Sequence, residues 1–274
     1  MQALIDADIV AYRCSASAEG DLEEVALMRV QRLMEEILYT TKASSYRAFL
    51  SGDNNFRYQV FPNYKANRKD VVKPEHLKAC QDYLITEWKA EIIDGCEADD
   101  ALGMNQTGDT VICSIDKDLL QIPGNHYNFV KQEWRTISEE EGRHNFYMQL
   151  LTGDATDGIS GIKGVGPKTA AKYLEGCETE EDYLETVCKL YNNDTQLDQF
   201  AKCLWVWRHE GDIWDKLSIG ADNSAQGMEQ LSGSTMQEPG EINQFTEHTS
   251  QEIIGFQQVG QAPEVIFQTE RNAL

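Results

Sequence analysis

Short apolar runs in this chain repeatedly end at aspartate or glutamate, and that recurrence constrains the fold more than any other feature. Residues 3–5 lead into Asp6 and Asp8, and residues 46–50 lead into Ser51-Gly52-Asp53. Residues 91–94 are followed by Glu97, Asp99 and Asp100, and residues 110–115 by Asp116 and Asp118. Between these β-rich runs lie segments with helical spacing of apolar residues, at 22–39, 75–89 after Pro74, and 97–105. Strands alternating with helices predict a parallel α/β sheet, with a further strand expected around 127–130. In an open parallel sheet, residues just past the strand carboxyl ends converge on one crevice. Four strand ends therefore deliver acids to one place. A further pair, Asp154 and Asp157, has the i, i+3 spacing that would put both on one face of a helical turn.

Crowded carboxylates are costly without cations. Two like charges 4 Å apart repel by about 4 kcal/mol at an effective dielectric of ~20. Mg²⁺ and Mn²⁺ prefer oxygen ligands, and Mg²⁺ keeps waters while joining carboxylates to a substrate phosphate. A pair of such ions can activate a water and stabilise a leaving oxygen in an in-line displacement. The bland alternative has force for any one motif, since a lone Asp-x-Asp is usually a cap or a solvated face. Asp116, for instance, suits the cap of a short helix at 117–121. Repetition at every expected strand end is what favours phosphoryl chemistry at a metal cluster.

Two cationic segments indicate what the metals act on. In Phe61-Pro-Asn-Tyr-Lys-Ala-Asn-Arg68, helical spacing would place Tyr64, Lys65 and Arg68 on one face, an aromatic for a base beside cations for phosphates. An exposed basic helix start is the competing reading. In Gly161-Ile-Lys-Gly-Val-Gly-Pro-Lys-Thr-Ala170, Gly164 and Gly166 permit a tight hairpin and Pro167 suits a first helical turn. Lys163, Lys168 and Thr169 would flank backbone N–H groups that attract phosphate. This is the pattern of a helix-hairpin-helix, a sequence-independent grip on the DNA backbone, with a plain helical connector as the competing reading.

The ordered motifs LIDAD, SGD, PNYKANRKD, EADD, SIDKDL, LTGDATDG and GIKGVGPKTA resemble the flap endonuclease and 5′–3′ exonuclease superfamily, and in particular its compact bacteriophage branch. That resemblance implies an α/β fold with a PIN-like parallel sheet core flanked by helices and a helix-hairpin-helix subdomain. It implies a Mg²⁺-dependent 5′–3′ exodeoxyribonuclease, with flap endonuclease and RNase H-type activities also in the family's range. By motif, Asp6, Asp53, Glu97, Asp99, Asp100, Asp116, Asp118, Asp154 and Asp157 would hold two or more Mg²⁺ ions, for which Mn²⁺ can substitute. Lys65 and Arg68 would contact the scissile phosphate. Tyr64, Lys163, Gly164, Gly166, Lys168 and Thr169 would bind DNA, with a monovalent cation at the hairpin. The expected partners are double-stranded DNA with a 5′ end or short flap and RNA–DNA hybrid. On this reading residues 1–137 form the catalytic core, including a short arch at 62–90, and 138–217 the helical DNA-binding part. The shortness of the arch favours duplex ends over long threaded flaps.

Charge argues the other way. A net charge of −22 is the reverse of a nonspecific polyanion binder. Residues 211–274 carry ten acids and two bases, however, and residues 62–78 and 158–172 are locally basic. Residues 218–274, rich in Gln, Ser, Glu and Gly, are expected to be a low-complexity, disordered tail. The seven cysteines form no CxxC pair, and the start MQALIDADIV does not resemble a signal peptide. No apolar run is long enough for a membrane span, so a cytoplasmic protein with reduced thiols is expected, in the host cytoplasm if phage-encoded. Two rivals remain. A haloacid-dehalogenase-type phosphatase would use LIDADIV and LTGDATD, but its late motif should follow a strand. A noncatalytic DNA-structure-binding protein would have no need of the full acid set.

Overall fold

In the computed structural model, residues 1–216 are described; the expected tail at 218–274 lies outside them. The first strand, β1 (Gln2–Asp6), runs directly into α1 (Ala7–Ser17), because the Asp6 carboxylate accepts from the Ile9 N–H and so caps the helix. There follow α2 (Glu23–Thr41), β2 (Ser45–Ser51), the short α3 (Arg57–Val60), α4 (Leu77–Thr86), β3 (Glu91–Ile93), α5 (Ala98–Asn105) and β4 (Thr110–Cys113). A hairpin of β5 (Gly124–Asn128) and β6 (Glu133–Ile137) completes a six-stranded sheet in the order β3-β2-β1-β4-β5-β6. Every neighbouring pair is parallel except β5 and β6.

Alternate residues of the central strands face opposite layers, as the twofold repeat of a strand requires. Ala3, Ile5, Val111 and Cys113 pack against α1, α2 and α4, whereas Leu4, Phe49 and Ile112 pack against α5. From β1, the chain builds outward through β2 and β3 on one side and through β4 on the other. The crevice between the carboxyl ends of β1 and β4 is therefore the topological switch point where such sheets bind ligands.

The remaining helices, α6 (Glu139–Thr152), α7 (Pro167–Tyr173), α8 (Glu180–Leu190) and α9 (Asp194–Leu204), bury a second core around Phe146, Leu150, Val187 and Phe200. The buried Arg57 joins the two cores by donating to the carbonyls of Cys203 and Trp205. All seven cysteines are free, and five of them are buried. Among the described residues no helix is long and apolar enough to cross a membrane.

The expected parallel sheet is present, and β6 adds to its edge by returning antiparallel along β5, with four of its five residues exposed. Two expectations need correction. Asp154 and Asp157 do not share a helical turn; α6 ends at Thr152, and Asp154 pairs with Ile159 in an isolated antiparallel bridge. The stretch 77–86 is not part of an arch, because α4 packs Cys80 and Leu84 into the core beside α1 and α2.

Candidate active site

At the switch point lies an open cleft of about 570 Å³. Asp6, Asp8, Glu97, Asp99, Asp116, Asp118, Asp154 and Asp157 line it, together with Lys65, Arg68, Lys69, Lys73 and Lys117. Each acid arrives by a local device. Asp6 ends β1 and, besides capping α1, accepts from the Ser114 hydroxyl at 2.7 Å. Asp8, in the first turn of α1, accepts from the Ser51 N–H at 2.9 Å. Glu97 is the N-cap of α5 and Asp99 lies in its first turn. Asp116 follows β4, accepts from the Asp118 N–H at 2.9 Å and faces the cleft; the N-cap position of the turn Asp118–Gln121 is Lys117.

Burial and mutual repulsion dominate the electrostatics. Burial, reinforced by Asp8 and Asp116, pushes the Asp6 carboxyl up to about 7. Burial with Asp116 and Asp154 does the same to Asp118, also to about 7. Asp99 is raised well above the carboxylate range by burial and by Asp6, Asp116 and Glu97, and Asp8 is raised by burial and Glu97. These acids thus form a continuous belt with too little positive charge to ionise together.

Where cations do reach the belt, the shifts reverse or weaken. Burial would raise Glu97, but Arg57 and Lys65 hold it below its ordinary value. Burial would likewise raise Asp154, yet Lys117 holds it down from 2.9 Å. The Tyr64 hydroxyl lies 3.1 Å from Glu97 and 2.9 Å from Asp157. Its one proton serves one carboxylate at a time; burial and Glu97 raise Asp157, while Lys65, the Tyr64 hydroxyl and Arg68 pull it back down.

Lys65 and Arg68 meet the acids from a turn the sequence pattern did not anticipate. Lys65 has φ +52, a left-handed conformation costing a side-chain-bearing residue about 1 kcal/mol or more. Its N–H is fixed to the Asp157 carbonyl and its ammonium pairs with Glu97. Arg68 donates to the Thr156 carbonyl at 2.9 Å and to Asp157 at 2.8 Å. Tyr64 consequently points inward and is 1 % exposed, so it is not the base-stacking surface that helical spacing implied.

Two further expected ligands lie elsewhere. Asp100 is fully buried and takes two bonds from Arg57, at 2.6 and 2.8 Å, while its carboxylate also caps Glu97 in a capping box. It neutralises an internal guanidinium. Asp53 is exposed and does not line the cleft; its carbonyl accepts from the Gly95 N–H at 3.0 Å, in the loop that follows β3. Conversely, Asp8, Lys69, Lys73 and Lys117 line the cleft although the expected site residues left them out; Asp8 was already among the acids at the strand ends. In the glycine-rich segment, Lys163, Gly164, Gly166 and Lys168 are exposed and Thr169 is half-buried. Gly164 has φ +82, as a tight turn requires, whereas Gly166 at φ −95 does not. The segment is tied to the acidic loop where Gly153 and Gly161 cross: a Cβ on Gly161 would come within 2.4 Å of the Gly153 nitrogen.

Residues 2–147 match the family described as 5′–3′ exonuclease, N-terminal resolvase-like domain. The chain belongs to this 5′–3′ exonuclease family. Flap endonuclease Xni of Shewanella putrefaciens is 30% identical over 179 residues, 59% of this chain and 68% of that protein. Flap endonuclease Xni of Shewanella baltica is 30% identical over 175 residues, 57% of this chain and 66% of that protein. The bacteriophage T5 D15 protein co-crystallised with metal ions has a TM-score of 0.59 at 13% identity, over 74% of this chain and 89% of that one. A D15 flap endonuclease pseudo-enzyme–product complex with DNA and metal ions has a TM-score of 0.58 at 13% identity, over 84% and 96%. These likenesses bear on the fold, which is the PIN-like arrangement of that phage exonuclease.

A 5′–3′ exonuclease family member is a nuclease hydrolase, and the donor set suits divalent cations held through oxygen. Among the described residues, no three His, Cys, Asp or Glu side chains close tightly enough to form a ready-made cage. An open arrangement fits hard cations that keep waters and take further ligands from substrate phosphate. The Lys117 ammonium already bridges Asp154 at 2.9 Å and Asp118 at 3.5 Å, so these two carboxylates have the spacing to share a cation. The late acids also follow a helix, α6, whereas a haloacid-dehalogenase site would place them after a strand.

Proposed function

We propose that this chain is a Mg²⁺-dependent 5′–3′ exodeoxyribonuclease acting on double-stranded DNA with a 5′ end or short flap, with RNA–DNA hybrid as a second substrate. One observation carries the reading: eight acids from separate chain segments and four cations from residues 65–73 line the same open cleft. Nucleases need that combination, because the acids hold metal and the cations hold the polyanion.

In this reading Asp6, Asp8, Glu97, Asp99, Asp116, Asp118, Asp154 and Asp157 hold two or more Mg²⁺ ions, some through water, with Mn²⁺ able to substitute. When bound, the metals supply an activated water and charge stabilisation at the leaving oxygen. Lys65 and Arg68 orient the scissile phosphate, and their ion pairs with Glu97 and Asp157 fix both side chains before substrate arrives. Lys69 and Lys73 extend the positive rim. Lys163, Gly164, Gly166, Lys168 and Thr169 grip the duplex backbone in a helix-hairpin-helix, where a monovalent cation would also sit. This division of labour explains how a chain of net charge −22 handles a polyanion: contact is confined to two basic segments.

The test is cleavage of 5′-labelled blunt, recessed and flapped duplexes with Mg²⁺ and with chelator. The proposal expects metal-dependent release of mononucleotides or short oligomers from the 5′ end. Metal-independent cleavage, or none at all, would overturn it, and hydrolysis of small phosphate monoesters with a trapped phosphoaspartate at Asp6 would establish the phosphatase instead.

A further inference from the structure

A second cavity, of about 260 Å³, lies beside the catalytic cleft, between the loop after β4 and the β5–β6 hairpin. The two share Asp116 and Lys117 as a common lip. Strand register builds one wall. His126 lies opposite Arg135 and Asn128 opposite Glu133, and the twofold repeat of the strands turns all four to one face of the hairpin. The facing wall is apolar and comes from Ile115, Leu119 and Leu120.

His126 makes this more than a surface groove. It is 6 % exposed, and its Nε2 lies 2.8 Å from the Ile122 carbonyl, so that nitrogen carries the proton. Burial lowers the pKa of the ring and keeps it neutral, which leaves Nδ1 as an acceptor. Nδ1 has no partner among the described residues, where the only side-chain nitrogens or oxygens both fully buried and unpaired are three tryptophan indoles. It therefore reaches the cavity. Lys131 and Arg135, exposed at the rim, form no ion pair among the described residues. The turn that carries Lys131 is fixed, because the Asn128 side-chain carbonyl accepts from the N–H groups of Val130 and Lys131 at 3.1 and 2.9 Å.

A pair of free cations, an apolar wall and a buried acceptor answer to the three parts of a nucleotide: phosphate, base face and base N–H. We propose that this cavity binds a free deoxynucleoside 5′-monophosphate, its phosphate on Lys131 and Arg135, its base against Leu119 and its neighbours, and a base N–H donating to His126 Nδ1. Asp116 and Glu133 line the same cavity and repel the further phosphates of a continuing strand, so the site selects single nucleotides. Binding there requires neither metal nor cleavage.

Calorimetric titration of the full chain with dAMP tests this, in chelator so that no metal in the catalytic cleft can hold phosphate. Wild type is expected to bind one dAMP per chain, and to bind deoxyadenosine and 2-deoxyribose 5-phosphate each about tenfold more weakly or worse. Arg135→Gln, an exposed change that should leave folding intact, is expected to weaken dAMP about tenfold. His126→Phe should weaken dAMP and spare 2-deoxyribose 5-phosphate, while Lys69→Ala, in the catalytic cleft, should bind dAMP like wild type. The proposal is overturned if wild type does not bind dAMP, if 2-deoxyribose 5-phosphate binds as tightly, or if Arg135→Gln changes nothing. It is also overturned if Lys69→Ala removes the binding, which would put the nucleotide in the catalytic cleft. Duplex affinity falling in Arg135→Gln as far as dAMP affinity does would overturn it too, by making the hairpin face part of the DNA track. No step of the titration involves cleavage, so its failure leaves the nuclease reading standing, and an inactive nuclease leaves this site standing.

Discussion

Removing the Asp100 carboxylate separates a structural acid from a metal-holding one. Its oxygens accept from Arg57 Nη1 at 2.6 Å and Nη2 at 2.8 Å, from the Glu97 N–H at 2.9 Å and from the Trp207 N–H at 3.1 Å. Arg57 is itself only 2 % exposed, so Asp100→Ala strands an uncompensated guanidinium in the interior. Breaking a buried pair in this way costs roughly 3–5 kcal/mol, and the lost cap of α5 adds about 1 kcal/mol. At about 2–4 °C per kcal/mol for a folded region of this size, the melting temperature should fall by on the order of 10 °C. Urea denaturation of Asp100→Ala gives the free energy directly. The double variant Arg57→Met, Asp100→Leu should recover most of the loss, because an apolar pair of similar volume needs no partner. Unchanged stability with lost divalent-cation affinity would refute the reasoning and return Asp100 to the metal site.

Four further outcomes follow from the same geometry. Asp53→Asn should leave Mg²⁺-dependent cleavage within about twofold of wild type, and a larger loss measured in steady state would put this exposed residue back among the ligands. Asp154→Ala should abolish cleavage while DNA binding, measured by fluorescence anisotropy, persists; full activity would remove Asp154 from the site. Asp6 and Asp118, each pushed up to about 7, hold protons in the metal-free folded protein that they release on unfolding, so their contribution to stability is complete below about pH 4 and is lost as pH rises through 7. The urea midpoint of metal-free protein should therefore fall from pH 5 to pH 8 and flatten with saturating Mg²⁺; a midpoint that rises over that range without metal contradicts the charge belt. Lys168→Ala should weaken duplex binding and reduce the slope of log affinity against log salt by about 1, and an unaltered slope would take Lys168 out of the phosphate grip.

The sheet and its acidic switch point were legible because strands alternate with helices and the acids recur at the strand ends. What stayed hidden was set by geometry finer than that pattern. Glu97, Asp99 and Asp100 look equivalent in sequence, but successive helical residues turn by about 100°. Asp99 therefore faces the cleft while Asp100 faces the core. The Glu97-x-x-Asp100 spacing, a capping-box signature, was the available warning. Tyr64 was misjudged because helical spacing assumes ordinary backbone, and Lys65 adopts φ +52. The strand β6 was missed because its residues are mostly exposed and carry little apolar signal.

The central claim is that acids from distant parts of the chain hold shared divalent cations in one cleft. Anomalous diffraction from crystals soaked in Mn²⁺ tests it most directly. The account predicts two peaks in the cleft, each within reach of oxygens from the belt formed by Asp6, Asp8, Glu97, Asp99, Asp116, Asp118, Asp154 and Asp157. Density found only at Asp53 or elsewhere on the acidic surface, with nothing in the cleft at saturating Mn²⁺, would contradict it.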